Sequence, residues 1–174
     1  VIEGLRDAQV GAAVKHYPGL GAVSGNTDFT TEGILDTTTT LDGAEAGAFD
    51  QAITKADPAM LMMSLATYQS IDPNNPAVFS STIIDGHIRN VLKYTGVVIS
   101  DSMSAEALSN YDVSQLGVNL VEAGGDMSCI GQTDYVKPIV DGLNERAKSD
   151  PAFASKVTAA ATRVMTLKIK MGLA

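Results

Sequence analysis

Four short apolar runs, at residues 11–15, 59–65, 96–100 and 126–130, constrain this chain more than any other feature. Each has the length of a strand buried on both faces, and none alternates with polar residues as a strand with one wet side would. Between and after them, apolar residues return every three or four positions instead. Phe49, Ala52, Ile53 and Ala56 make one such stripe; Ile84, Ile88, Val91 and Leu92 make a second. Val136, Ile139, Val140 and Leu143 form a third, and Val157, Ala161, Val164 and Leu167 a fourth. These are amphipathic helices. Start signals agree: Ser80 or Ser81 can cap the second, Asp134 the third, and Asp150 with Pro151 the last. Strand alternating with helix predicts an α/β fold built from right-handed βαβ units, a parallel sheet with helices packed on it.

The 174 residues suffice for one core and give no convincing domain boundary, so a single domain over 1–174 is expected. Twenty acidic against twelve basic residues leave a formal charge of −8, which opposes a phosphate backbone and argues against nucleic acid as a partner. No apolar run reaches the ~18 residues needed to span a bilayer. The single cysteine, Cys129, cannot form an internal disulfide and reads as a small buried thiol; neither thiol chemistry nor a metal or other cofactor is expected. Residues 1–7 lack the charged start and apolar core of a leader peptide, and with no initiator methionine they resemble the tail of a helix already under way. The chain therefore reads as an excised or cleaved piece whose compartment its own residues do not specify.

Two stretches break the rhythm. Residues 19–41, rich in Gly and Thr and without clear period, form either a disordered surface loop or a functional lid. Their position after a strand favours the lid, because loops at that edge of parallel folds carry the chemistry. Residues 68–77, with Asp72-Pro73-Asn74-Asn75-Pro76, read as turn chemistry. Polar clusters close three of the strands: Lys15-His16-Tyr17-Pro18-Gly19, Ser64 with its neighbours, and Ser100-Asp101-Ser102. Taken alone, Asp101 is either a helix cap or a catalytic group, and His16 beside Lys15 is a structural pair. Placement at strand ends moves both toward a site. Glu32 and Asp36 read as solvated carboxylates, Asp126 as the start of a strand making structural hydrogen bonds, and Met60, Met62 and Met63 as a buried strand.

The stretch from Ala13 through Lys15-His16-Tyr17-Pro18-Gly19-Leu20-Gly21 to Val23 resembles the Lys-His-Phe-Pro-Gly-x-Gly motif of glycoside hydrolase family 3. Gly96-Val97-Val98-Ile99-Ser100-Asp101 resembles that family's nucleophile strand, and Leu120-Val121-Glu122-Ala123-Gly124-Gly125-Asp126-Met127 the approach to its eighth strand. The motifs fall in family order and span nearly the whole chain. Within the family, Gly25-Asn26-Thr27-Asp28 resembles a subgroup of the β-N-acetylglucosaminidases that process cell-wall fragments.

The resemblance implies a parallel-stranded (β/α) barrel of TIM type, with this chain as its last four βα units, half of the barrel. It implies a retaining hydrolase that removes terminal β-linked N-acetylglucosamine from peptidoglycan-derived sugars. Asp101 would be the nucleophile, and Lys15 and His16 would bind the sugar hydroxyls. Many members of the branch carry Asp-Ser-His on the mobile loop, where this chain has Asn26-Thr27-Asp28, so the expected histidine is absent. Either Asp28 acts as acid/base with Asn26 as its loop partner, or another residue does the work, or the protein binds sugar without cleaving it. A β-glucosidase of the same family is the nearest alternative activity, and the Gly-Asn-Thr-Asp loop argues against it.

Half a barrel has two unpaired strand edges and an inner face without half its filling. The expected partners are a carbohydrate substrate and either the amino-terminal half of the barrel, as a separate chain or lost segment, or a second copy of this chain.

Overall fold

The computed structural model describes residues 1–32 and 34–174. In chain order its main elements are α1 (Ile2–Asp7), β1 (Ala13–Tyr17), β2 (Leu35–Asp36), α2 (Ala44–Ala56), β3 (Met60–Met63), β4 (Thr67–Tyr68) and β5 (Asp72–Pro76). There follow a wide helix (Thr82–Val91), β6 (Val97–Ser102), α3 (Val113–Glu122), β7 (Met127–Cys129), α4 (Val136–Ser149) and α5 (Pro151–Lys170). The four apolar runs form one sheet in the order β1-β3-β6-β7, with every pairing parallel. Sequential parallel strands separated by helices are what the alternating pattern demands. Among the described residues, β1 and β7 each pair on one side only, and the sheet does not close into a barrel.

Leu61, Met63 and Val98 point toward the helices and are fully buried, whereas Met60, Met62 and Ile99 on the other face are only half-buried. The methionine run is thus a strand covered on one side, unlike the fully buried strand expected. In a complete barrel, that inner row would be filled by side chains from opposing strands.

Ile83, Ile84 and Ile88 of the Thr82–Val91 helix enter the core. Its backbone is wound wider than an α-helix: the Gly86 N–H donates to the Ser81 carbonyl and Leu92 N–H to His87, each five residues back. Ser80 starts it, its hydroxyl accepting from Ile83 N–H at 3.3 Å while donating to Asp72 at 2.7 Å. α3 and α4 pack on glycines. A Cβ on Gly142 would lie 2.0 Å from the Ser114 carbonyl oxygen, and one on Gly117 would lie 2.6 Å from Ile139. Only hydrogen at these positions permits so close an approach.

Several expectations need correction. Asp134 does not cap α4: it lies in a 3-10 turn (Thr133–Tyr135), and Tyr135 holds the capping position without a side-chain bond. Asp150 does cap α5, accepting from Ala152 and Phe153 N–H. Cys129 is half-exposed at the end of an edge strand instead of buried. The irregular stretches after β1 and β3 combine into a second sheet, ordered β2-β4-β5. There Asp36 is fully buried, its carboxylate accepting from the Thr38 and Thr39 N–H groups and both hydroxyls, so it is no solvated surface group. Glu32 is exposed, as expected. Among the described residues no helix is long and apolar enough to cross a membrane.

Candidate active site

Parallel pairing turns the carboxyl ends of β1, β3, β6 and β7 toward one rim. Asp101 stands on β6 and His16 on β1, two strands apart with β3 between them. Their side chains meet across β3, His16 Nε2 lying 3.3 Å from Asp101 Oδ2, both about one-fifth exposed. Asp101 Oδ1 accepts the Ser102 N–H at 2.8 Å. One carboxylate oxygen is therefore fixed by backbone and the other faces an imidazole at an open surface.

β1 departs from ideal pairing where it delivers these groups. Val14 lies opposite Leu61 and Tyr17 opposite Met63, so three steps on β1 match two on β3. Such an irregularity re-aims side chains at a strand end. The Lys15–His16 and Tyr17–Pro18 peptide bonds are both cis. Lys15 is exposed, and its ammonium has no hydrogen-bond partner among the described residues. Partial burial pushes the His16 pKa below its ordinary value and the Lys15 charge pushes the same way; Asp101 and Asp28 oppose them without reversing the shift. His16 is accordingly neutral at neutral pH and can offer one N–H and one acceptor nitrogen.

The loop bearing Asn26 and Asp28 is anchored to the segment following Asp101. Glu106 N–H donates to the Asp28 carbonyl at 3.3 Å, and Ala107 N–H to the Thr27 carbonyl at 3.0 Å. Thr27 is buried beneath this contact while Asn26 and Asp28 are exposed. Asn26 organises the turn itself: its side-chain oxygen accepts the Asp28 N–H at 2.9 Å, and its carbonyl accepts from Phe29 and Thr30. Asp28 thus comes near enough to act on the His16 charge, and four of the five candidate side chains carry charge or titrate at one rim. Farther along the lid, the Tyr68 hydroxyl donates to the Gly19 carbonyl and ties the turn after β1 to the second sheet.

Sequence reasoning missed a cluster behind β1. The Tyr17 hydroxyl donates to Asp50 Oδ1 at 3.1 Å, and His87 Nε2 lies 2.9 Å from Asp50 Oδ2. The Tyr17 ring is fully buried, stacked with His87 and set edge-on to Phe49. Burial, reinforced by the Asp50 charge, raises the phenol pKa well above its ordinary value and keeps the hydroxyl a donor. The available signal was a hydroxyl where the motif has phenylalanine, since a buried phenol needs a partner.

The opposite end of the sheet is closed by charge pairing. The Asp126 carboxylate is wholly buried. It accepts from Arg89, from Arg163 at 2.8 Å and from the Val98 N–H at 2.8 Å, the structural role expected of it. A cavity of about 280 Å³ at that end touches Arg6, Arg163 and Lys170, and another of about 370 Å³ lies among α3, α4 and α5. Neither is lined by His16 or Asp101. Among the described residues no group of three or more His, Cys, Asp or Glu side chains is arranged to hold a metal ion.

A parallel α/β sheet thus presents a carboxylate and an imidazole from two strands flanking β3, near a carboxylate-bearing loop, at the edge that carries the chemistry in barrel folds. Residues 1–167 match the model of the glycosyl hydrolase family 3 N terminal domain, and the chain belongs to that family. A β-hexosaminidase of Alkalilimnicola ehrlichii is 33% identical over 127 residues, covering 72% of this chain and 36% of its own. A β-hexosaminidase of Mycobacterium tuberculosis is 28% identical over 175 residues, covering 95% of this chain and 44% of its own. Among solved structures, the β-N-acetylhexosaminidase of Beutenbergia cavernae superposes with a TM-score of 0.87 at 37% identity, over 95% of this chain and 49% of that one. A family 3 β-N-acetylglucosaminidase from a Paenibacillus species gives 0.86 at 27% identity, over 99% and 33%. The chain spans between about a third and a half of the length of these relatives.

Proposed function

We propose that the protein is a retaining glycosidase acting on terminal β-linked N-acetylglucosamine of peptidoglycan-derived sugars, and that residues 1–174 supply the carboxy-terminal half of its barrel. The observation that carries this reading is the 3.3 Å approach of His16 and Asp101 from strands on either side of β3, beneath a lid whose Asp28 acts on the same imidazole. The names of the relatives point to the same sugar. In the first step Asp101 attacks the anomeric carbon, forming a glycosyl ester as the bond to the leaving oxygen breaks and Asp28 transfers a proton to that oxygen. Water then attacks the anomeric carbon, giving its proton to Asp28 and releasing Asp101, so that configuration is retained. Lys15 and His16 donate to the sugar hydroxyls and orient the ring; Asn26 shapes the turn that presents Asp28. Closing the sheet requires strands beyond β1 and β7, which an amino-terminal half of the same barrel provides.

Covalent trapping tests the reading. The protein assembled with its remaining barrel strands is incubated with 5-fluoro-N-acetylglucosaminyl fluoride, whose fluoride leaves without a proton while the ring fluorine slows hydrolysis of the ester. One glycosyl unit should accumulate on the peptide containing Asp101. A label on another peptide, or no label from a protein that turns over an aryl β-N-acetylglucosaminide, removes Asp101 from its role.

A further inference from the structure

The chain has four phenylalanines, five tyrosines and no tryptophan. Eight of these nine rings are buried or packed against the core; Phe29 is 79% exposed. One exposed apolar side chain is ordinarily unremarkable. Phe29 differs in its placement. It follows Asp28 directly, and its N–H donates to the Asn26 carbonyl at 3.0 Å, which fixes the backbone from which the ring projects. The same turn is fastened through Thr27 and Asp28 to Glu106 and Ala107, just beyond Asp101. The ring is therefore carried on a stem anchored to the rim, with a solvent-facing surface on an otherwise polar tip of the lid.

We propose that Phe29 is a leaving-group platform, its ring stacking against the C–H face of the sugar that departs when the glycosidic bond breaks; this rests on the reading of Asp28 as the acid. An acid must sit beside the leaving oxygen, so the residue after it adjoins what that oxygen carries. A pyranose has one face of axial C–H bonds, and an aromatic ring covers that face at low conformational cost because it has only two side-chain torsions. The ring makes no contact with the sugar attached to Asp101, so it serves bond cleavage with a sugar leaving group and transfer to a sugar acceptor, and plays no part in hydrolysis of the ester.

The test compares two substrates in the full-length protein. For N,N′-diacetylchitobiose, whose leaving group is a sugar, Phe29→Ala should lower kcat/KM about five- to tenfold, in line with the loss of one stacking contact. For N-acetylglucosaminyl fluoride, whose leaving group has no ring, the change should stay within about twofold. Phe29→Tyr should preserve the parent value for both. An equal loss on both substrates, or a lowered melting temperature, identifies a structural ring and overturns the platform. An active parent with an unaffected Phe29→Ala overturns it alone, whereas a parent inactive on both substrates overturns the glycosidase reading as well.

Discussion

Asp101 on β6 and Asp126, the residue just before β7, lie at opposite ends of one sheet, and their surroundings are nearly inverse. The Asp126 carboxylate is wholly buried and accepts from two arginines and a backbone N–H. Asp101 has one backbone N–H, one neutral imidazole and an exposed fifth of its side chain. A carboxylate neutralised by guanidinium groups is held in place and has little nucleophilicity left, whereas one with a free lone pair at an open rim remains able to attack. The contrast agrees with the division of labour in barrel folds, where the carboxyl ends of strands do chemistry and the amino ends supply stability.

Exchanging the contributions of the two ends should expose that division. Asp101→Asn removes the charge proposed to attack with little change of shape, and turnover of an aryl β-N-acetylglucosaminide by the full-length protein should fall about 10³-fold or more, with the melting temperature nearly unchanged. Retained turnover would erase the distinction. Asp126→Ala leaves two guanidinium groups without their counter-charge and should destabilise by about 3–5 kcal/mol, read from the shift in denaturant midpoint. A shift within experimental scatter would make the arginine pair dispensable.

A milder effect is expected at Asp36, a second buried carboxylate that uses threonines where Asp126 uses arginines. Burial raises its pKa, but hydrogen bonds from Thr39 and Thr38 outweigh burial and hold it below the ordinary carboxylate value. The stability this contributes is complete above the unfolded-state value of about 3.9 and disappears as pH falls through the lower folded value. Asp36→Asn should cost about 1–3 kcal/mol at neutral pH and flatten the parent's loss of stability on acidification. Urea midpoints measured across the acidic range check both, and parallel curves for parent and variant would show that Asp36 does not drive the acid dependence.

How much of this was readable beforehand depended on the range over which each residue is determined. The four strands and four of the helices follow from local periodicity, and the Asp150 cap from adjacent Asp and Pro; both are set within a few residues. The placement of Asp101, His16 and Lys15 at strand ends was legible because the carboxyl ends of a parallel sheet converge on one rim, whereas the roles expected of them came from the family resemblance alone. The second sheet was not, since Leu35–Asp36 and Thr67–Tyr68 are two-residue strands too short to show a period, and their partners lie far along the chain. Asp36 was misread for the same reason: its burial comes from that sheet, while a carboxylate among threonines looks solvated. α3 escaped because its buried side includes Gly117, which a stripe of large apolar residues does not reveal.

Main-chain hydrogen bonds fasten the lid to the segment beyond Asp101, with the Glu106 and Ala107 amides on the Asp28 and Thr27 carbonyls. Such a clasp does not depend on the side chain of the exposed Glu106, so substitutions can drift there, whereas Ala107 is buried in the core and tolerates only small apolar replacements. Insertions or deletions between Asp101 and Ala107 are not tolerated, because each would slide the amides off their carbonyls and carry Asp28 away from the rim. Lineages that keep this lid should therefore conserve the spacing of that stretch more strictly than its exposed side chains.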